Sequence, residues 1–68
     1  MPGTYKKIEI VGTSPDSFAD AVKSGIKTAS ETVRHMDWFE VVEMRGRIAN
    51  GGVAEFQVTL RIGFKLDR

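Results

Sequence analysis

The stretch from Ala54 to Leu66 constrains this chain more than any other. Over about thirteen positions, Ala54, Phe56, Val58, Leu60, Ile62, Phe64 and Leu66 alternate without a miss against Glu55, Gln57, Thr59, Arg61, Gly63 and Lys65. Successive side chains of a strand point to opposite faces, so this period predicts one long, half-buried strand. Its apolar face is a core wall and its other face is polar. A strand that long has to twist and curl around whatever covers its apolar side.

The cover is found upstream. Phe18, Val22, Gly25/Ile26, Ala29 and Val33 recur at helical spacing, with Asp20, Lys23, Lys27 and Glu31 on the other side, which predicts an amphipathic helix from about Pro15 to Arg34. Ser14-Pro15-Asp16 reads as its start: a capping hydroxyl, a proline at the first helical position and an acid at the positive end of the dipole. Gly25 costs a helix about 1 kcal/mol relative to alanine, and a close approach of the sheet would explain it. Arg34 and His35 suit the negative end. Before the helix, Tyr5 to Val11 alternates as a first strand, with Gly12 and Thr13 as its break.

A second strand follows from Trp38 to about Ile48, and Ala49-Asn50-Gly51-Gly52 has the composition of a hairpin turn. The order is β-α-β-β, an α+β fold in which a three-stranded antiparallel sheet wraps one helix. With no linker, repeat or low-complexity segment in sight, residues 1–68 are expected to form a single domain. The second strand breaks its own period. Trp38, Glu40, Val42, Met44, Gly46 and Ile48 share one strict face; Phe39, Val41, Glu43, Arg45 and Arg47 share the other. Either a bulge near Val42-Glu43 switches the phase, or the Trp38 face is itself buried in an interface.

Composition narrows the function. A chain of 68 residues buries too little surface to be robust alone, and the usual remedies are disulfides, metal or oligomerisation. There is no cysteine, and His35 is the one histidine, so no disulfide or zinc site is expected. Self-association is the remedy left. Ten Lys and Arg balance nine Asp and Glu without a basic block, which argues against nucleic acid as a partner. No apolar run has membrane-spanning length and Met1-Pro2-Gly3-Thr4 is not a signal peptide, so neither membrane nor secretion is expected and the chain is taken as cytoplasmic. His35 has no nucleophile partner and the acids form no evident pair, so the chain is not expected to be an enzyme.

Trp38, the sole tryptophan, is the residue the polar side of the sheet has to accommodate. A strand tryptophan is first of all a core or interface residue. It is also a platform for a flat ring. Gln57 shares its side of the sheet and carries a donor and an acceptor side by side, matching the edge of a flavin, pterin or nucleobase. Gly12-Thr13-Ser14 lacks a phosphate-loop pattern, and capping accounts for Ser14.

These residues also carry a resemblance. Tyr5-Lys6-Lys7-Ile8-Glu9-Ile10-Val11-Gly12-Thr13-Ser14, Asp37-Trp38-Phe39-Glu40-Val41, Arg45-Gly46, Phe56-Gln57-Val58 and Ile62-Gly63-Phe64 resemble, in order and over nearly the whole chain, the dodecins, small flavin-binding proteins of bacteria and archaea. The resemblance implies the same β-α-β-β subunit and a hollow homododecamer that holds flavins, FMN or riboflavin, in pairs between indoles of symmetry-related copies. It implies storage and protection of the flavin rather than catalysis. Trp38 matches the stacking tryptophan and Gln57 the glutamine at the isoalloxazine edge. Arg45 matches an arginine near the flavin, although the strict strand period puts it opposite Trp38. Lys65 is a further candidate for a phosphate or ring contact. Some bacterial members bind coenzyme A as well. The competing reading is an interaction module in which the face of Trp38, Val42, Met44 and Ile48 serves only as an oligomer interface.

Overall fold

A computed structural model describes residues 3–66; Met1 and Pro2 of the polar start and the last two residues of the expected domain lie outside them. The elements are β1 (Tyr5–Ser14), α1 (Phe18–Ala29), β2 (Met36–Ala49) and β3 (Gly52–Lys65). All three strands form one antiparallel sheet in the order β1-β3-β2. The strictly alternating strand is therefore the central one. Its even-numbered side chains make the core: Val58, Leu60 and Ile62 are fully buried with Ala21, and Ile10, Phe18, Val22 and Ile26 pack around them. Phe18 meets Phe56 edge to face at 4.9 Å.

The hairpin follows its composition. Asn50 (φ 53°) and Gly51 (φ 77°) occupy the left-handed region between Ala49 and Gly52, the conformation that a tight two-residue loop demands.

Three boundaries differ from the sequence reading. β1 does not stop at Val11; Gly12, Thr13 and Ser14 go on pairing with Val58, Gln57 and Phe56. Gly12 is a contact residue rather than a strand break: a side chain there would overlap the carbonyl oxygen of Ala21, and one at Gly25 would meet the Gly12 Cα at 3.0 Å. Helix and strand thus touch backbone to backbone, which is the reason for Gly25. The buried stripe of α1 is accordingly Ala21, Gly25 and Ala29, with Phe18, Val22 and Ile26 beside it. Small residues occupy the line of closest approach because nothing larger fits.

The helix start also moves. Ser17, not Ser14, is the cap and accepts from the Asp20 N–H at 3.0 Å. Ser14 is buried one turn earlier, accepting from the Asp16 N–H and donating to Asp20 Oδ2 at 2.7 Å. Two hydroxyls in succession offer caps, and pairing of Ser14 with β3 decides between them. At the other end the helix stops at Ala29 rather than Arg34. The Ser30 hydroxyl turns back to the Lys27 carbonyl, and Glu31 and Thr32 donate three residues back in tightened turns. His35 then reverses the chain at φ 62°.

The irregularity anticipated in β2 is real, and it is a bulge. Val41 opposes Leu60 and Glu43 opposes Thr59, leaving Val42 as the extra residue; a second shift precedes Trp38. Past Val42 the faces exchange. Met44 and Ile48 join Phe39 and Val41 on the helix side, while Glu43, Arg45 and Arg47 join Trp38 and Glu40 on the polar side. The apolar patch read onto the Trp38 face is thus on the opposite face of the sheet.

That patch is bare. α1 packs on β1 and β3, and Phe39, Val41, Met44, Ile48 and Val53 stay exposed, Ile48 by 77%. A recess of about 640 Å³ separates Phe39 from Ala19, Val22 and Ile26 of α1. The hairpin projects beyond the helix, so the chain measures 54 × 20 × 13 Å with a radius of gyration of 14.1 Å. A compact chain of this length has a radius of about 11 Å. The shape is that of a part whose core is completed by another surface.

Candidate functional site

The polar face of the sheet is a ladder of cross-strand rows. Each row takes one residue from β1, one from β3 and one from β2. In order they are Lys7–Gly63–Trp38, Glu9–Arg61–Glu40, Val11–Thr59–Glu43 and Thr13–Gln57–Arg45, with Tyr5–Lys65 beyond the first.

Trp38 starts on β2 and lies across β3. Its benzo ring occupies the space directly over Gly63, where a side chain would collide with it. Gly63 fills a polar slot in the alternation yet is buried, because the indole covers it. Tyr5 of β1 meets the indole edge-on, with centroids 5.4 Å apart and planes at 62°. One face of the indole is spent on backbone. The other points away from the sheet.

The polar edge of the ring is also engaged. Trp38 Nε1 donates to Glu40 Oε2 at 3.1 Å, and Lys7 Nζ sits 2.8 Å from the same oxygen. The Lys7 hydrogen bond first, and that of the indole second, hold the Glu40 carboxyl below its usual value, with Arg61 adding attraction. The carboxylate is therefore present above the ordinary glutamate range, and its hold on the indole is lost only as the pH falls through the lowered value. Arg61 itself bonds Glu9 at 3.1 Å.

At the other end of the ladder the bulge at Val42 changes which side chains share the Trp38 face. It brings Arg45 onto the Trp38 side, directly across from Gln57, removing the conflict between strand period and resemblance. Gln57 Nε2 donates to Glu55 Oε1 at 2.9 Å, and Arg47 approaches that oxygen at 3.9 Å. Lys65 is exposed and lies in the row next to Gly63, so it belongs to the tryptophan end.

The four residues singled out from sequence thus share a face but fall into two groups. Six positions of β3 separate Gly63, under Trp38, from Gln57, about 20 Å of strand. One copy of the chain cannot put Trp38 and Gln57 on the same small ring. A ligand touching both has to lie between two copies.

Sequence reasoning missed the seat of the tryptophan. Gly63, Tyr5, Lys7 and Glu40 are each unremarkable alone and are assembled by register. The available signal was Gly63, the one position of the polar set without a side chain. Replacing it with alanine is expected to drive the indole off its seat, weakening any ligand stacked there more than tenfold, about 1.4 kcal/mol or more. Near-ultraviolet circular dichroism of Trp38 checks the displacement.

Comparison with known proteins fits this geometry. A family model described as Dodecin matches residues 4–67. The chain belongs to the dodecin family. It is 48% identical over 67 residues to the dodecin of Thermus thermophilus, covering 98% of this chain and 97% of that one. The solved dodecin from Streptomyces davaonensis superposes with a TM-score of 0.94 at 47% identity over the whole of both chains. A more distant relative is the calcium dodecin of Mycobacterium tuberculosis, 29% identical over 62 residues, covering 91% of this chain and 87% of that one. Its structure, with a TM-score of 0.81, is described as having a novel calcium-binding site. Among the described residues of this dodecin no group of three or more His, Asp or Glu is placed to hold a metal. No helix among them is long and apolar enough to cross a membrane.

Proposed function

We propose that this dodecin binds and sequesters a flavin, FMN or riboflavin, between copies of itself in a hollow homododecamer. The observation that carries the reading is the indole of Trp38, pressed on the backbone at Gly63 with its other face turned outward. An aromatic ring held flat on a sheet, with its polar edge bonded to Glu40, is a stacking platform for another flat ring. The amide of Gln57, paired in register with Arg45, supplies a donor and an acceptor for the polar edge of the isoalloxazine from a second copy. Lys65 and Arg45 supply positive charge for the phosphate of FMN. An indole in face contact with a flavin quenches its excited state by electron transfer, so the site protects what it stores. Binding without catalysis is the function proposed.

Self-association follows from the bare helix-side patch of β2. The interaction-module reading had made Trp38 part of an apolar interface, but Met44 and Ile48 lie on the other side of the sheet from it. Met44→Glu is expected to prevent assembly. Burying an unpaired carboxylate costs several kcal/mol, enough to leave small species in light scattering. Flavin uptake is expected to fall with it, since the site needs two copies.

The reading is tested by incubating the protein with FMN and separating the mixture by size-exclusion chromatography. Flavin absorbance that travels with the large particle supports it. Flavin that elutes wholly free of a well-formed particle overturns it.

A further inference from the structure

We propose that Glu40, anchored by Lys7, is the positioning residue that locks the Trp38 indole in its stacking orientation. The proposal rests on the flavin reading for the purpose of the lock, and on geometry alone for its existence.

A strand tryptophan has several staggered rotamers open to it. Packing on the backbone at Gly63 seats the benzo ring but gives no directional contact to its polar edge. Tyr5 packs against the ring at a centroid distance of 5.4 Å with the planes at 62°, an apolar contact that does not fix the indole N–H. The directional contact is the bond from Nε1 to Glu40 Oε2. That same oxygen receives Lys7 Nζ at 2.8 Å, so a residue of β1 fixes a carboxylate of β2, which fixes an indole lying across β3. The two outer strands, β1 and β2, are tied across β3 through one oxygen.

The Lys7–Glu40 pair is too exposed to matter much to the fold, with side chains 46% and 42% accessible. Pairs of that kind add little to stability. Its consequence is instead local. A bond to a charged acceptor is stronger and more directional than one to water, and it leaves the indole oriented before any ligand arrives. Ligands bind more tightly to a pre-ordered platform because less freedom is lost on binding. Of the other charges on this part of the face, Arg61 is bonded to Glu9 and acts on Glu40 only as a further attraction, while Lys65 lies one row beyond Gly63. The hydrogen bonds to Glu40 come from the indole and Lys7.

Three variants separate the contributions. Glu40→Gln keeps an acceptor for Nε1 but loses the ion pair. Lys7→Met loses the ion pair but keeps the carboxylate. Glu40→Ala loses both. Since Trp38 is the sole tryptophan, near-ultraviolet circular dichroism and fluorescence anisotropy of flavin-free protein report its order directly. Both signals are expected to fall slightly in Glu40→Gln and Lys7→Met and strongly in Glu40→Ala. FMN affinity is expected to follow the same ranking, with a loss of about tenfold for Glu40→Ala, while particle size and melting temperature stay near wild type. Unchanged dichroism and anisotropy in Glu40→Ala overturn the proposal. If wild-type protein takes up no FMN and the dichroism ranking still holds, the lock stands and the flavin reading falls.

Discussion

Trp38→Ala is expected to abolish flavin binding and to leave the assembly intact. Stacking on one aromatic side chain contributes about 1–3 kcal/mol when measured by alanine substitution. In a paired site the substitution removes an indole from each of two copies, so the loss is at least about thirtyfold in affinity. The assembly survives because Trp38 stands on the polar face, whereas the bare apolar residues Phe39, Val41, Met44 and Ile48 stand on the other. Removing the ring uncovers Gly63 and frees Glu40, neither of which belongs to that patch. A Trp38→Ala particle of normal size that still quenches flavin fluorescence with wild-type affinity would exclude Trp38 as the platform.

Gly12→Ala is expected to cost the fold a large part of its stability. The added carbon would overlap the backbone oxygen of Ala21. No flexible side chain can yield there, so helix and strand have to separate. Overpacking of this kind costs about 1–3 kcal/mol even where the surroundings relax. A chain of this length commonly has only about 3–10 kcal/mol in total. Each kcal/mol lost lowers the melting temperature by about 4–8 °C, so a fall of about 10 °C or more is expected in calorimetry. Gly25→Ala attacks the same contact from the helix, at 3.0 Å from the Gly12 Cα, and is expected to be milder. A wild-type melting temperature in Gly12→Ala would show that the helix does not rest on the backbone of β1.

How much of this was legible in the sequence depends on the range of the interaction. The alternation read from Ala54 to Leu66 is a local period, and from Phe56 to Lys65 it gave the central strand and its buried face directly. It does not extend to Ala54, which a further register shift leaves exposed and without a partner between Glu55 and Val53. Asn50-Gly51 is a local turn signal, and both residues take the positive φ it implies. The helix was legible but its ends were not. Ser14 and Ser17 both look like caps, and the choice between them is made by pairing of Ser14 with Phe56 of β3, a contact far away in sequence. Gly12 read as a break for the same reason: its purpose is a helix lying against it.

The site shows the same division. Trp38 and Gln57 stood out by residue type. The side occupied by Arg45 depended on one extra residue at Val42, and a period can say that such a bulge is needed without saying where it falls. The seat of the indole on Gly63, with Tyr5, Lys7 and Glu40 around it, depends on the register of three strands. No spacing along the chain encodes it.

The most direct measurement is a titration of flavin-free protein with FMN and riboflavin, following flavin fluorescence. Quenching that saturates near one flavin per chain is the predicted result, and it places a flavin against each indole. Full fluorescence with both flavins, from protein shown by light scattering to be assembled, would contradict the account at its centre.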